Sequence, residues 1–263
     1  VNQLAIIIVS FNARRDLVTC LQSLTDAPPD IAHQIVVVDN ASSDGSGDAA
    51  RGFSSVRTIV LDRNVGFAAA NNTGIRASDG ELVLLLNSDT VVPAGALDRL
   101  IERLRAVPAA RVAGPRLVDG DGQPEVSFGR MISPVNELRQ KVLGRAGLLA
   151  RLTNREQFVD WVSGACLVVY REDAEAIGLL DERFFMYAED VDFCASIRAR
   201  GGAVLFTPAA EVVHLRGRSR AAAPAATQAA YRRSHLAFYE KHHPGWVPVL
   251  KWYLRAKGET PEG

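Results

Sequence analysis

The sequence predicts an α/β fold built on a mainly parallel sheet. Three observations carry this. Strand and helix patterns alternate over roughly the first 115 residues. The strands are near-continuous apolar runs, as expected where both faces of a sheet are covered. Each run stops at polar or glycine-rich residues, which places loops at the carboxyl ends of parallel strands joined by right-handed crossovers.

Taken in order, Leu4–Val9 (LAIIIV) reads as the first buried strand. Asn12 is the expected N-cap of a helix over 13–24, with Leu17, Cys20, Leu21 and Leu24 on one face. Gln34–Val38 is the second strand and runs into the polar loop 39–46; Val56–Leu61 is the third. A helix over 68–77 follows. Its Ala68, Ala69, Ala70 and Gly74 leave room for close approach of backbone or ligand. Glu81–Leu86 is the central apolar strand and ends in Asn87-Ser88-Asp89. A carboxylate there needs a partner, or it caps the helix expected over 94–105.

Beyond Gly114-Pro115 the texture changes. Asp119–Gly122 reads as the turn of a hairpin between 115–118 and 125–128. A weakly periodic, basic insertion spans 133–156. Strands are expected over 158–162 and 165–170, a short helix over 171–177, and an aromatic loop over 181–187. Glu189-Asp190 opens a helix that Gly201-Gly202 ends. Short strands over 203–206 and 211–213 lead to His214, followed by a basic loop and C-terminal helices over 225–242 and 246–257.

Composition is ordinary for a globular chain of 263 residues, with 48% apolar and 23% charged residues. Thirty basic and thirty acidic side chains cancel, so no global field argues for a nucleic-acid partner. Cys20, Cys166 and Cys194 lack metal-ligand spacing and read as core residues in a reducing compartment. No run is long enough for a transmembrane helix, and Leu4–Val9 lacks the basic flank of a signal peptide. A cytoplasmic location is therefore expected. The phosphate-loop, dinucleotide and nucleophile-elbow motifs are absent.

Four polar clusters fall at element ends. Parallel strands should bring Ser10, Asp39 and Asp89 to one crevice. Asp39 and Asp190 could each instead cap a helix, and His214 could be structural. Mixed imidazole and carboxylate ligation by His214 and Asp89 suits Mg²⁺ or Mn²⁺. Carboxylates beside Phe184, Phe185, Met186 and Tyr187 suit a sugar ring.

The stretches IIIVSFN, VVVDNASSDGS, NVGFAAANNTGI, LLLNSDT, WVSGACLVVYRE, DERFFMYAEDVDFCASIRARG and HLRGRS occur in the order and spacing of family 2 glycosyltransferases. They resemble the bacterial rhamnosyltransferase-like branch, over about residues 4–240. The resemblance implies a GT-A fold: a nucleotide-sugar-binding half (1–115), an acceptor-binding and catalytic half (116–224) and a helical tail (225–263). It implies an inverting, metal-dependent transfer from a nucleotide sugar, dTDP-rhamnose or alternatively a UDP-sugar, to a glycan or lipid-linked acceptor of bacterial surface polysaccharide. Asp39 matches the family's base-binding carboxylate, and Ser10, Asn12, Asn64, Gly66 and Ser88 match positions along the nucleotide. Asp89 matches the last Asp of the D-x-D metal motif, whose first position is here Asn87; His214 matches the second metal contact. Asp190 matches the catalytic base, with Glu189 as its neighbour and competitor. Trp161, Gly164 and Tyr187 fall on the acceptor or sugar side, and the basic loop 216–220 is expected to close on the diphosphate.

The tail combines Arg232, Arg233, Lys241, Lys251, Arg255 and Lys257 with Phe238, Tyr239, Trp246, Trp252 and Tyr253. That pattern suits either peripheral contact with an anionic membrane or a helix packed on the domain with a solvated basic face. The rival functions are a nucleotidyltransferase, disfavoured because SFNARRD lacks a glycine-rich loop, and a non-catalytic glycan-binding relative.

Overall fold

The computed structural model describes residues 2–133, 136, 153–215 and 224–256. The insertion expected over 133–156 falls outside them except at 133, 136 and 153–156, and so do the basic loop 216–220 and Lys257.

The strands are β1 (Leu4–Ser10), β2 (His33–Asp39), β3 (Val56–Val60), β4 (Leu82–Asn87), β5 (Thr90–Val91), β6 (Ala110–Val118), β7 (Phe128–Gly129), β8 (Gln157–Val159), β9 (Trp161–Val162), β10 (Cys166–Tyr170) and β11 (Ala203–His214). The helices are α1 (Arg14–Asp26), α2 (Ser46–Arg51), α3 (Phe67–Arg76), α4 (Ala96–Ala106), α5 (Arg171–Ala176), α6 (Glu189–Ala199), α7 (Pro224–His242) and α8 (Val247–Ala256). A nine-stranded sheet runs β3-β2-β1-β4-β10-β6-β11-β5, with β8 also on β11. β3, β2, β1 and β4 are parallel, as are β6 and β11, while β10 runs antiparallel between the two groups.

Alternation along β1 explains the layers. Leu4, Ile6 and Ile8 face a core with Leu17, Cys20, Leu21 and Leu24 of α1 and Leu97, Leu100, Ile101 and Leu104 of α4. Ala5, Ile7 and Val9 face the other side, with Ala68, Ala70 and Ile75 of α3 and Phe193, Cys194 and Ile197 of α6. Gly74 lets α3 sit directly on β1, because a Cβ there would come 2.5 Å from the Ile7 side chain. The small residues of this helix thus serve backbone-to-sheet packing.

Several expectations are corrected. Asn12 does not cap α1: it has φ +50, and the Arg14 N–H donates instead to Asp44 Oδ2 at 2.8 Å. The chain from Gly114 to Val118 is the end of a longer strand. Gly114 is required because Val162 packs on it, and Pro115 pairs with Thr207 where β11 shifts register, so its missing N–H interrupts no regular ladder. The turn at Asp119 closes, but the return arm keeps only a Val118–Pro124 bridge, and Phe128 pairs with Val162 instead. Residues 158–162 split at Asp160 between two sheets. β11 is one strand with a bulge rather than two strands. β5 has no counterpart in the sequence reading, and α2 supplies the bounds of the helix that Asp39 could have capped. Gly201 and Gly202 end α6 as expected, their N–H groups bonding Arg198 O and Ile197 O in a Schellman arrangement.

A third core holds Phe184 and Val191 against Phe238, Tyr239, Leu250 and Leu254 of the C-terminal helices. Phe238 and Tyr239 are therefore packed inside, each contributing about 2 kcal/mol of apolar burial. Lys241 bonds Asp181 at 2.9 Å and Asp192 at 2.8 Å, and His242 bonds Asp192 at 2.6 Å. α7 is thus the packed helix of the two alternatives.

Candidate functional site

The carboxyl ends of β1, β2 and β4 meet at one sheet edge, as parallel pairing demands. Ser10 is in register with Asp39, and Val9 with Asn87. Ser10 and Asp39 are buried, yet Ser10 Oγ, Asp39 Oδ1 and Asn87 Oδ1 have no hydrogen-bond partner among the described residues. Orphaned polar atoms are costly in a folded core and point to a ligand that satisfies them. Asp39 caps no helix, since α2 is preceded by Gly45 and its Ser46 N–H bonds Asp44. Gly47 lies against the Asp39 carboxylate, where a Cβ would stand 2.8 Å from Oδ2.

The surrounding loops are tied to one another. Asn12 Oδ1 accepts the Ser43 N–H at 2.8 Å, joining the loops after β1 and β2. Asn64 Oδ1 accepts from Asn40 Nδ2 and Gly66 N, both at 2.9 Å, so its side-chain oxygen shapes the loop from within. Gly66 adopts φ +88, and a Cβ would lie 2.6 Å from Phe185 O, while Phe67 N donates to that same oxygen at 2.6 Å. The aromatic loop is thereby bolted to the Asn64–Gly66 loop.

Asp89 and Ser88 lie in the turn between β4 and β5, so neither caps α4, whose N-cap is Gly95. The short β5 explains the geometry beyond. Thr90 pairs with His214, and Leu215 N donates to Asp89 O at 2.8 Å. This sets His214 Nε2 3.3 Å from Asp89 Oδ1. On the other ring nitrogen, Nδ1 lies 3.1 Å from Glu125 Oε2. Burial opposes the charged imidazole, but Asp89 and then Glu125 hold its pKa above the ordinary histidine value. Glu125 carried no sequence signal beyond an acid after a turn. Beneath the turn Cys20 contacts Thr90 Oγ1 at 3.5 Å, and burial pushes its thiol up to about 12.

Asp190 Oδ2 accepts the Gly164 N–H at 2.9 Å, and Oδ1 accepts the Val191 N–H at 2.8 Å. The two approach closely: a Cβ on Gly164 would sit a tight 3.3 Å from Asp190 Cβ and in ordinary contact, at 3.8 Å, with the Phe67 ring. The next residue, Ala165, accepts the Asn87 N–H at 2.9 Å, so one side-chain and one backbone hydrogen bond link Asp190 to the Asp89 turn. Glu189 is buried, and its Oε2 has no hydrogen-bond partner among the described residues; burial, then the Asp190 charge, raises its pKa well above the usual carboxylate range. Burial also raises Asp190, against the two N–H donors that favour its charge. Tyr187 and Ala188, at φ +71 and +67, turn the chain into α6; two non-glycine residues there store strain beside the carboxylates. Tyr187 packs edge-on to Tyr231 at 5.9 Å. The Trp161 indole N–H bonds Arg130 O at 2.9 Å, and its ring covers Gly129. A cavity of about 450 Å³ lined by Asn72, Arg76, Asp181, Asp192 and Lys241 contains none of the predicted site residues; its charged side chains are mostly paired with each other, so the sheet edge is the better candidate.

Residues 5–176 match the family described as Glycosyl transferase family 2. The chain belongs to glycosyl transferase family 2. A relative in Mycobacterium tuberculosis, N-acetylglucosaminyl-diphospho-decaprenol L-rhamnosyltransferase, is 32% identical over 244 residues, covering 84% of this chain and 79% of its own. The dTDP-rhamnosyl transferase RfbF of Shigella flexneri is 28% identical over 189 residues, covering 70% of this chain and 60% of its own. In structure, the mannosyltransferase PcManGT of Pyrobaculum calidifontis, solved with GDP-Man and Mn²⁺, superposes with a TM-score of 0.64 at 20% identity, covering 95% of this chain and 68% of that one. The sheet is thus that of a GT-A glycosyltransferase. Among the described residues, no helix of this family 2 glycosyltransferase is long and apolar enough to cross a membrane.

Proposed function

We propose that this glycosyltransferase moves rhamnose, from dTDP-rhamnose, to a lipid-linked glycan acceptor of bacterial surface polysaccharide, with inversion at the anomeric carbon. The observation that carries the reading is the sheet edge: orphaned Ser10, Asp39 and Asn87 atoms beside Asp89–His214 and Asp190. The rhamnosyl donor and the polyprenyl-diphosphate acceptor are supported by the names of the relatives. In this reading the halves fall at 1–115 and 116–224, the tail follows from 225, and the chain works at the cytoplasmic face.

Asp39 accepts the N3–H of a pyrimidine, with Ser10, Asn12 and Ser88 along the nucleotide and the Asn64–Gly66 loop against it. Asp89 and His214 are hard ligands that fit Mn²⁺ or Mg²⁺, and Asn87 Oδ1 is an unused neutral oxygen in the same turn. Among the described residues no cluster of three His, Cys, Asp or Glu forms a protein-only shell, which leaves positions for diphosphate oxygens and water. When bound, such a cation neutralises charge on the leaving diphosphate.

Asp190 takes the proton of the acceptor hydroxyl as that oxygen attacks the face of the sugar opposite the diphosphate. The Gly164 and Val191 N–H groups fix the carboxylate in place without consuming all its lone pairs. Its partial exposure favours it over buried Glu189. Gly164 and Tyr187 then flank the sugar, while Trp161 supports that wall from behind. A thermal-shift panel of dTDP-, UDP- and GDP-sugars with Mn²⁺ or Mg²⁺ tests the reading. Stabilisation by dTDP-rhamnose supports it; a response to purine nucleotides alone contradicts it.

A further inference from the structure

Trp252 is the outward extreme of α8. At about 100° per residue around a helix, buried Leu250 and Leu254 share the face that seats on the third core, and Trp252 lies opposite. Val249 and Ala256 stand on one side of it, Lys251 and Arg255 on the other. Trp252 is 69% exposed and Val249 53%; Trp246, in the turn leading into the helix, is 49% exposed. Core packing accounts for the leucines and leaves both indoles in water.

The charge on this face selects its occupant. Lys251 and Arg255 are exposed and α8 carries no acid; among the described residues Lys251 meets only the half-exposed Glu240 of α7, at 3.3 Å. An indole pairs an apolar body with an N–H that favours a wet boundary, and a basic flank favours anionic headgroups. α8 is also held to the catalytic loop: it packs on α7, whose Ser234 hydroxyl bonds Met186 O at 2.7 Å, just before Glu189 and Asp190.

We propose that the Trp246–Val249–Trp252 face of α8, with Lys251 and Arg255, docks on the surface of an anionic lipid bilayer. The proposal rests on the reading of a lipid-linked acceptor, and it gives that acceptor a reason to be found at the catalytic loop. The test is co-sedimentation of the full chain with phosphatidylcholine vesicles, with and without phosphatidylglycerol, comparing the wild type with Trp246→Ser/Trp252→Ser and Lys251→Gln/Arg255→Gln. The wild type should bind the phosphatidylglycerol vesicles with a blue shift of tryptophan emission. The double-Ser variant should lose this binding, and each basic side chain removed should cost about fivefold in partitioning. All variants should keep the wild-type melting temperature and transfer to a water-soluble acceptor. Absence of vesicle binding, or binding that the double-Ser variant retains, overturns the proposal. So does a dimer seen by light scattering that Trp252→Ser dissolves without any vesicle binding. Vesicle binding by a chain that turns over no nucleotide sugar sinks the enzymatic reading and leaves the docking face standing.

Discussion

The Asp190 carboxylate accepts a hydrogen bond from the Gly164 N–H at 2.9 Å, and the residue after Gly164 bonds the backbone of Asn87. The proposed base and the proposed metal-binding turn are therefore held in one backbone framework across β4 and β10. Asp190→Asn keeps the shape and removes the basicity. It should lower the transfer rate by about 10²–10⁴-fold while calorimetry with dTDP finds nearly unchanged affinity.

Asp89→Ala should remove the Mn²⁺ dependence of nucleotide binding. His214, placed 3.3 Å from Asp89 by the β5–β11 pairing, would lose its partner in the turn. Titrations of dTDP with and without Mn²⁺ should differ in the wild type and converge in the variant. A wild-type-like difference in the variant removes Asp89 from the metal.

Glu125 fixes the orientation of His214 by bonding Nδ1. Such partners of a metal-binding imidazole change metal affinity by about 10–100-fold when removed. Glu125→Gln, read by Mn²⁺ titration in the presence of dTDP, should show a loss of that size with little change in affinity for dTDP alone. An unchanged Mn²⁺ affinity makes the contact merely structural.

Glu189 gives a pH dependence with a definite sign. Its folded pKa is raised by burial and by Asp190. Below the unfolded pKa both states are protonated and nothing is lost. As pH rises from there towards the folded value, the unfolded chain ionises first and stability falls. Glu189→Gln should therefore melt higher than the wild type in neutral buffer and close to it in acid. A gap of equal size at both pH values contradicts the assignment.

Gly66→Ala meets both a left-handed φ of +88 and Phe185 O at 2.6 Å. We expect about 2 kcal/mol of lost stability in chemical denaturation, with weakened dTDP binding because the loop and the aromatic segment separate. Wild-type stability would show that the Phe185 contact yields easily.

Much of this was legible because apolar runs that end in polar residues leave few alternatives. β1, β2 and β4 were visible as LAIIIV, QIVVV and LVLLL, and parallel pairing then forces Ser10 beside Asp39. The cap of α1 was misread because the sequence shows Asn12 next to the helix and cannot show Asp44 arriving from another loop. Glu125 and the two-residue β5 were invisible for the same reason: each is defined by a long-range partner, His214, and neither has a local pattern. The tail's aromatics looked uniform in sequence. Only packing separates buried Phe238 and Tyr239 from exposed Trp246 and Trp252.

The central claim is tested most directly by incubating the chain with dTDP-rhamnose, Mn²⁺ and a polyprenyl-diphosphate-linked N-acetylglucosamine acceptor. Released dTDP is followed by chromatography and the product by mass spectrometry. The account predicts acceptor-dependent dTDP release with a product one deoxyhexose heavier, both lost in Asp190→Asn. Transfer at the wild-type rate by Asp190→Asn, or no transfer from any pyrimidine nucleotide sugar, would contradict it.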